Sequence, residues 1–391
     1  MNTTLKLSAM AAALLAMSGA AYGQKVETKG GLSISSNDEK YSVKVGGRIH
    51  LDTNFYVDDD DLAPVSLPTD IFFRRARLTL EGKAERFTYK FENDFVASNQ
   101  AGFREMWIGT KLGAANLRLG QAKPYRAMEE LTSSNEVLFM ERPFATASGL
   151  FDGRQFQMGA FLDGAGSNWG WGTSVHSLRA ADGPANDGIG FTARGYFAPV
   201  VGDTSNLHLG LSYSLENPDE NVRLRARGRL AGRAGAVPRP TFGDSGDPMA
   251  VSVSGSEVSA IGLEAAYQAG GFFIQTEYAM GTYEGDGVAE RDVDTYYVQA
   301  SYLLSGASKR YDVKKGVFKS PSVKTGTAEL KARYDYIEND AATATEIAQM
   351  VLGFNYYFNS NVRGMVEYVS ADFDTADQSV DLIQTRLQFS F

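Results

Sequence analysis

Arginine is the residue whose spacing in this chain suggests chemistry. Between positions 221 and 242 stand Arg223, Arg225, Arg227, Arg229, Arg233 and Arg239, with no acidic residue among them. The first four are two apart, so an extended backbone would set them on one side. Like charges this close repel unless water or anions screen them. As pure structure the run is costly, whereas as a ladder of anion sites it is useful, because guanidinium forks match oxyanions through charge-assisted hydrogen bonds. A solvated loop touching lipopolysaccharide phosphates is the plainer alternative. A second cluster is Arg74, Arg75 and Arg77, following Phe72 and Phe73.

Other chemistry finds less support. The three histidines, His50, His176 and His208, stand in alternating segments with no pattern marking a serine nucleophile beside them, so no catalytic residue and no enzyme is expected. The four consecutive aspartates of 58–61 lack the interleaved ligands and turning glycine of a calcium loop. No P-loop, dinucleotide fingerprint or zinc spacing occurs, and neither a metal nor a cofactor is expected. The formal net charge of −9 argues against nucleic acid as a partner.

The elements that must position the arginines have period two. In 42–56, Val43, Val45, Ile49, Leu51, Thr53 and Phe55 share one face, while Lys44, Arg48, His50, Asp52 and Asn54 share the other. Comparable segments follow near 70–81, 86–96, 102–111, 115–121, 153–163, 167–177, 188–198, 205–215, 256–268, 271–281, 292–303, 326–337, 347–358, 361–371 and 380–391, sixteen in all. Each is long enough to cross an apolar band when tilted. Short turns such as 82–85, 113–114, 270–271 and 359–360 alternate with long loops at 57–69, 122–152 and 216–255. The expected fold is all-β, a transmembrane antiparallel barrel of sixteen strands with short periplasmic turns and long extracellular loops. One connection departs from that rule: 304–325 is on the short-turn side yet long, and carries Lys309, Arg310, Lys314, Lys315, Lys319 and Lys324.

The ends agree. A lysine at position 6, an apolar stretch to Met17 and small residues before Gln24 read as a secretory signal peptide over 1–23, leaving one barrel domain over 24–391. There is no cysteine, hence no disulfide framework. In the last segment Ile383, Thr385, Leu387, Phe389 and Phe391 share one face, and a terminal phenylalanine on such a strand resembles the signal read by the outer-membrane assembly machinery. The outer membrane of a Gram-negative bacterium, with its lipid and lipopolysaccharide, is the expected setting.

The segments 28–32 (TKGGL), 44–48 (KVGGR), 73–76 (FRRA), Glu141-Arg142, 194–199 (RGYFAP) and 207–211 (LHLGL), together with the basic turn, make the chain similar to the phosphate-selective porin family, porins O and P. The resemblance covers essentially the whole chain after the signal. It implies a homotrimer whose pores are each narrowed by the third extracellular loop, 122–152, and passive diffusion of inorganic anions such as phosphate or pyrophosphate. Family constriction arginines fall on Arg74, Arg75 and Arg142, with Arg48 nearby. The ladder, on an inward-folded loop within 216–255, falls on Arg223, Arg225 and Arg227, and vestibule lysines on Lys29 and Lys44. The chain also departs from the family. Arg104 stands where the family has an acid, Arg77 and Lys123 where it has aromatics, and Glu130 and Glu39 where it has lysines. Lys44, Arg77, Arg104 and Lys123 are therefore additional candidate pore cations. A general diffusion porin with weak anion preference and a non-conducting structural or adhesin barrel are the alternatives. On lumen parity Arg75 and Arg77 face inward and Arg74 outward, an awkward place unless it meets an interface, a bulge or a neighbouring subunit.

Overall fold

A computed structural model describes residues 24–27, 31–58, 69–97, 102–146, 155–179, 185–217, 257–285, 288–323, 326–340, 346–373 and 378–391. The signal segment 1–23, Lys29, the aspartates at 59–61 and the ladder arginines Arg223, Arg225 and Arg227 lie outside them.

Sixteen antiparallel strands close on themselves. They are β3 (Tyr41–Asp58), β4 (Asp70–Ala84), β5 (Phe87–Asp94), β6 (Phe103–Leu112), β7 (Ala115–Ala122), β8 (Gln157–Ala165), β9 (Trp169–Arg179), β10 (Ala185–Val201), β11 (Ser205–Asn217), β12 (Glu257–Ala269), β13 (Phe272–Gly285), β14 (Val288–Leu303), β17 (Thr327–Asn339), β18 (Glu346–Tyr357), β19 (Val362–Phe373) and β20 (Gln378–Ser390). Each pairs with the next, and β20 pairs back on β3 from Leu382↔Tyr56 to Ser390↔Arg48. Closure leaves no edge, which matters in lipid, where no water can satisfy an unpaired strand. Two short strands, β1 (Gln24–Glu27) and β2 (Leu32–Ser36), pair with each other and carry the sheet on past the barrel along the first part of β3. No described helix is long and apolar enough to cross a bilayer.

Side-chain alternation sorts the wall as the sequence pattern requires. On β20, Ile383, Leu387 and Phe389 point outward and are 39–52% exposed, whereas Gln384, Arg386 and Gln388 point inward and are buried. Tight turns occupy one end, with Gly113 and Gly270 at φ of 60° and 56°, values a side chain disfavours. The long connection from β7 to β8 leaves from the other end. By the barrel rule the short-turn end is periplasmic.

Arg74 has its explanation in register. β3 and β4 pair one for one as far as His50↔Arg75, and then Leu51 pairs with Phe73. Arg74 is the extra residue of a β-bulge, a feature that re-aims a side chain. Its guanidinium turns into the lumen instead of facing outward as simple parity predicts.

Two segments fill much of the bore. The loop after β7 folds inward, with a short helix α1 (Met128–Leu131), and returns to β8. Its Leu138, Phe139 and Phe144 pack on Ile337, Ile347, Val351 and Val369 of the wall, making a small apolar core inside the barrel. From the periplasmic end, the connection 304–326 sends in a hairpin of β15 (Arg310–Asp312) and β16 (Val317–Lys319). Val317 and Phe318 are buried, Phe318 against Phe273 with ring centroids 4.9 Å apart.

The seam depends on Gly47. Its amide donates to the Phe391 carbonyl at 3.0 Å, and the Phe391 amide donates back to the Gly47 carbonyl at 3.2 Å. A Cβ there would come within 2.6 Å of the Phe391 ring and 2.7 Å of the Arg77 carbonyl. Gly47→Val is expected to lower the yield of closed barrel about ten-fold, equivalent to roughly 1.4 kcal/mol, read as the heat-modifiable band on unboiled gels. A yield equal to the parent's would show that the seam tolerates the side chain.

Candidate pore constriction

The inward loop is held by the wall through its backbone. The Met128 and Glu129 amides, at the start of α1, each donate to Glu277 at 2.8 Å, a carboxylate placed where a helix start favours negative charge. Met140 donates to Glu367 at 2.8 Å and Phe144 to Asp335 at 2.9 Å. In the other direction Arg363 donates to the Val137 carbonyl, Lys331 to Leu138, Arg386 to Met140 and Arg333 to Glu141, all at 2.7–3.1 Å. The wall's buried charges therefore meet the polar groups of a chain segment that has no sheet to join.

Against the wall of β3 to β6 the loop leaves a cavity of about 100 Å³. Arg48, Arg77, Lys90, Lys123, Arg142, Lys315 and Lys319 line it, opposed by Glu92, Glu105 and Glu136. Thr132, Ser133, Ser134, Leu131, Phe156, Val317 and Phe318 complete most of the lining. Seven basic side chains against three acidic ones give the cavity a positive field.

Pairing decides how much of that field is free. Arg48 donates to Glu92 at 2.9 Å and to Ser134 at 2.8 Å. Arg77 bridges Asp94 at 2.8 Å and Glu92 at 3.0 Å, and Arg104 reaches Asp94 at 3.3 Å. Lys90 pairs with Glu105, and Lys319 with Asp312 at 2.6 Å. Lys123 and Arg142 differ. Lys123 donates to the Glu130 and Thr132 carbonyls, while Arg142 donates to Glu129 at 3.0 Å and Thr132 at 2.6 Å, again to carbonyls. Among the described residues neither forms a salt bridge, although the Glu130 carboxylate acts on both charges from nearby, and those of Glu129 and Glu141 on Arg142. Carbonyls left open at the end of α1 hold both cations in place. Burial, and then the Arg142 charge, push the Lys123 ammonium well below its ordinary lysine value, and burial lowers Arg142.

The expected constriction set is thus divided. Arg48 and Arg142 border the cavity, as do Arg77 and Lys123. Arg74 stands apart, forked onto Glu141 at 2.6 and 3.0 Å. Arg75 is buried and meets the His50 ring nitrogen Nδ1 at 3.3 Å, with Asn135 on the other nitrogen at 3.2 Å. Arg104 lies behind the cavity, 5.6 Å from the Phe156 ring centroid. Lys44 is near the periplasmic rim, 4.0 Å from Glu81. Lys90 was not singled out by sequence reasoning, although alternation along β5 puts it on the lumen face with Glu92 and Asp94. Lys315 and Lys319 were visible only as part of a basic turn whose inward course local pattern does not reveal.

The other two histidines of the wall are held by neighbouring side chains. His208 lies between Glu264 at 3.1 Å and Tyr311 at 2.7 Å. His176 has Ser174 at 3.5 Å and Glu216 at 3.7 Å, but the Ser174 hydroxyl is engaged with Thr192 at 2.5 Å and the group is buried. No cluster able to hold a metal occurs among the described residues.

A barrel of this strand number, with a loop folded into its bore, invites comparison with known porins. The model of the family described as phosphate-selective porin O and P matches residues 43–391. The chain belongs to that family. It is 30% identical to Porin O of Pseudomonas aeruginosa over 413 aligned positions, covering 94% of this chain and 92% of the relative. Among solved structures, the anion-selective porin from Comamonas acidovorans superposes with a TM-score of 0.57 at 14% identity, covering 90% of this chain and all of that one. OmpT of Vibrio cholerae gives 0.57 at 13%, covering 90% and 98%. Those two likenesses establish the fold. The protein is an outer-membrane porin of a Gram-negative bacterium.

Removing an anchor of the loop tests its construction. Glu367 accepts from Lys331, Gln384 and the Met140 amide. Glu367→Ala leaves the Lys331 ammonium buried without its carboxylate, at a cost of about 3–5 kcal/mol, read as a lower denaturation midpoint in detergent. A loss under about 1 kcal/mol would mean that the pair contributes no more than a surface salt bridge.

Proposed function

We propose that this porin passes anions by passive, selective diffusion, and that the anion is held at Lys123 and Arg142. The observation that carries this reading is their pairing. Both are fixed by neutral carbonyls in a cavity with a basic excess. A fixed positive charge outside any salt bridge attracts an anion and repels a cation, more strongly where low-dielectric walls crowd the path. Arg48 and Arg77, already sharing Glu92 and Asp94, supply directed N–H groups more than net charge. Lys315, at the tip of the inward hairpin, adds a cation to the same cavity, and Lys44, near the periplasmic rim, offers a weaker site for exit. Several adjacent weak sites allow occupancy without trapping.

Phosphate and related oxyanions such as pyrophosphate are the substrates we favour. Support comes from the match of the guanidinium fork to tetrahedral oxyanions and from the family to which the chain belongs. On the extracellular side the ladder Arg223, Arg225 and Arg227 concentrates anions and steers them inward. Each barrel conducts on its own within a homotrimer set in lipid and lipopolysaccharide. No cofactor, energy source or catalytic step enters the scheme.

In planar bilayers under a potassium chloride gradient, the reversal potential should report chloride over potassium. Phosphate should block the chloride current, and Arg142→Ala should weaken that block about ten-fold or more, about the loss of one charge-assisted hydrogen bond. Potassium preference would refute anion selection, and unchanged block in the variant would remove Arg142 from the site.

The two cations also predict a pH profile. A lysine carries charge below its pKa and loses it as pH rises. With Lys123 held well below 10.5 by burial and by Arg142, anion preference should begin to fall on the alkaline side before that value is reached. Arginine stays protonated throughout, so Lys123→Gln should start from a lower preference and show a flat profile. An equally steep profile in the variant would assign the titration to another group.

A further inference from the structure

Two segments enter the bore from opposite ends, and they meet at Glu136. The Ser320 amide, just past β16 on the periplasmic turn, donates to Glu136 Oε2 at 2.7 Å. Arg310 Nη2, on β15, lies 3.6 Å from Glu136 Oε1, and Arg310 Nε donates to the Ser320 carbonyl at 2.9 Å. The Ser320 hydroxyl reaches the Asn135 carbonyl at 3.5 Å. One loop carboxylate thus receives both an amide and a guanidinium from the turn.

Glu136 needs such an explanation, because it is an acid in a cavity whose charged lining is mostly basic. The other two acids there are taken up by wall cations, Glu92 by Arg48 and Arg77, and Glu105 by Lys90. An acid beside an anion's path weakens binding through repulsion. The tip of the hairpin has its own anchors on the wall, since Arg194 donates to the Lys315 and Gly316 carbonyls at 2.9 and 2.7 Å and Tyr196 to Val313 at 2.7 Å. What Glu136 adds is a hold on the return arm, where Val317, Phe318 and Lys319 face the cavity.

We infer that Glu136 is a positioning residue that clasps the periplasmic turn to the inward loop, so that the two segments form one gate and the turn helps set the width of the pore. The inference rests on the channel reading given above and adds to it a second wall, supplied from the other end of the barrel.

Single-channel recording of the full protein, with phosphate as the blocking anion, separates the alternatives. Glu136→Ala releases the return arm, and conductance should rise about two-fold as the narrowest part widens. Glu136→Gln keeps an acceptor for the Ser320 amide while removing the charge. It should conduct as the parent does and bind phosphate about ten-fold more tightly. Ser320→Pro removes the donor from the other side and should match Glu136→Ala, with the double variant no larger than either, as for two halves of one contact. The clasp is refuted if Glu136→Ala conducts as the parent does, if the alanine and glutamine variants change conductance alike, or if the effects of Glu136→Ala and Ser320→Pro add. A potassium-selective parent channel would overturn the anion reading alone, because the clasp is judged on conductance.

Discussion

A chain segment placed inside a barrel has no neighbouring strand, and its amides and carbonyls must find partners elsewhere. In this porin the wall provides them. Carboxylates at Glu277, Asp335 and Glu367 accept from the loop's amides, and cations at Lys331, Arg333, Arg363 and Arg386 donate to its carbonyls. Charges that look like pore lining in the sequence are thereby spent on holding the loop. Leaving any one of them without its partner in a buried setting costs more than a surface charge does.

The consequence for transport lies in what remains unspent. Arg48, Arg74, Arg77 and Arg104 all face carboxylates. Lys123 and Arg142 face carbonyls at the end of a short helix. A carbonyl fixes the direction of a cation but leaves its net charge intact, which combines a rigid site with an attractive field. The loop both narrows the bore and brings in the cations on which the proposed selectivity depends.

Much of the frame is legible in the sequence because it follows from period two. All sixteen expected segments coincide with barrel strands, with ends that differ by up to a few residues in either direction, since an alternating pattern does not mark where a strand stops. The terminal face of Ile383, Leu387 and Phe389 points outward as read. Parity alone leaves Arg74 open between an interface, a bulge and a neighbouring subunit, and the register decides for the bulge, which leaves no mark in composition. The apolar lumen residues Ile337, Val351 and Val369 were equally hidden. They face inward because an inward loop covers them, a tertiary fact that no local pattern encodes. For the same reason the division between paired and carbonyl-held cations needed the fold, as did the place of Lys90, Lys315 and Lys319 in the cavity.

The central claim is that an anion rests against Lys123 and Arg142. Anomalous diffraction from crystals of the protein soaked in bromide tests it most directly, because the scatterer reports its own position. The account predicts a peak within hydrogen-bond reach of Lys123 Nζ and the Arg142 guanidinium. A lumen in which bromide gathers at Arg74 and Arg75, leaving that pair bare, would contradict it.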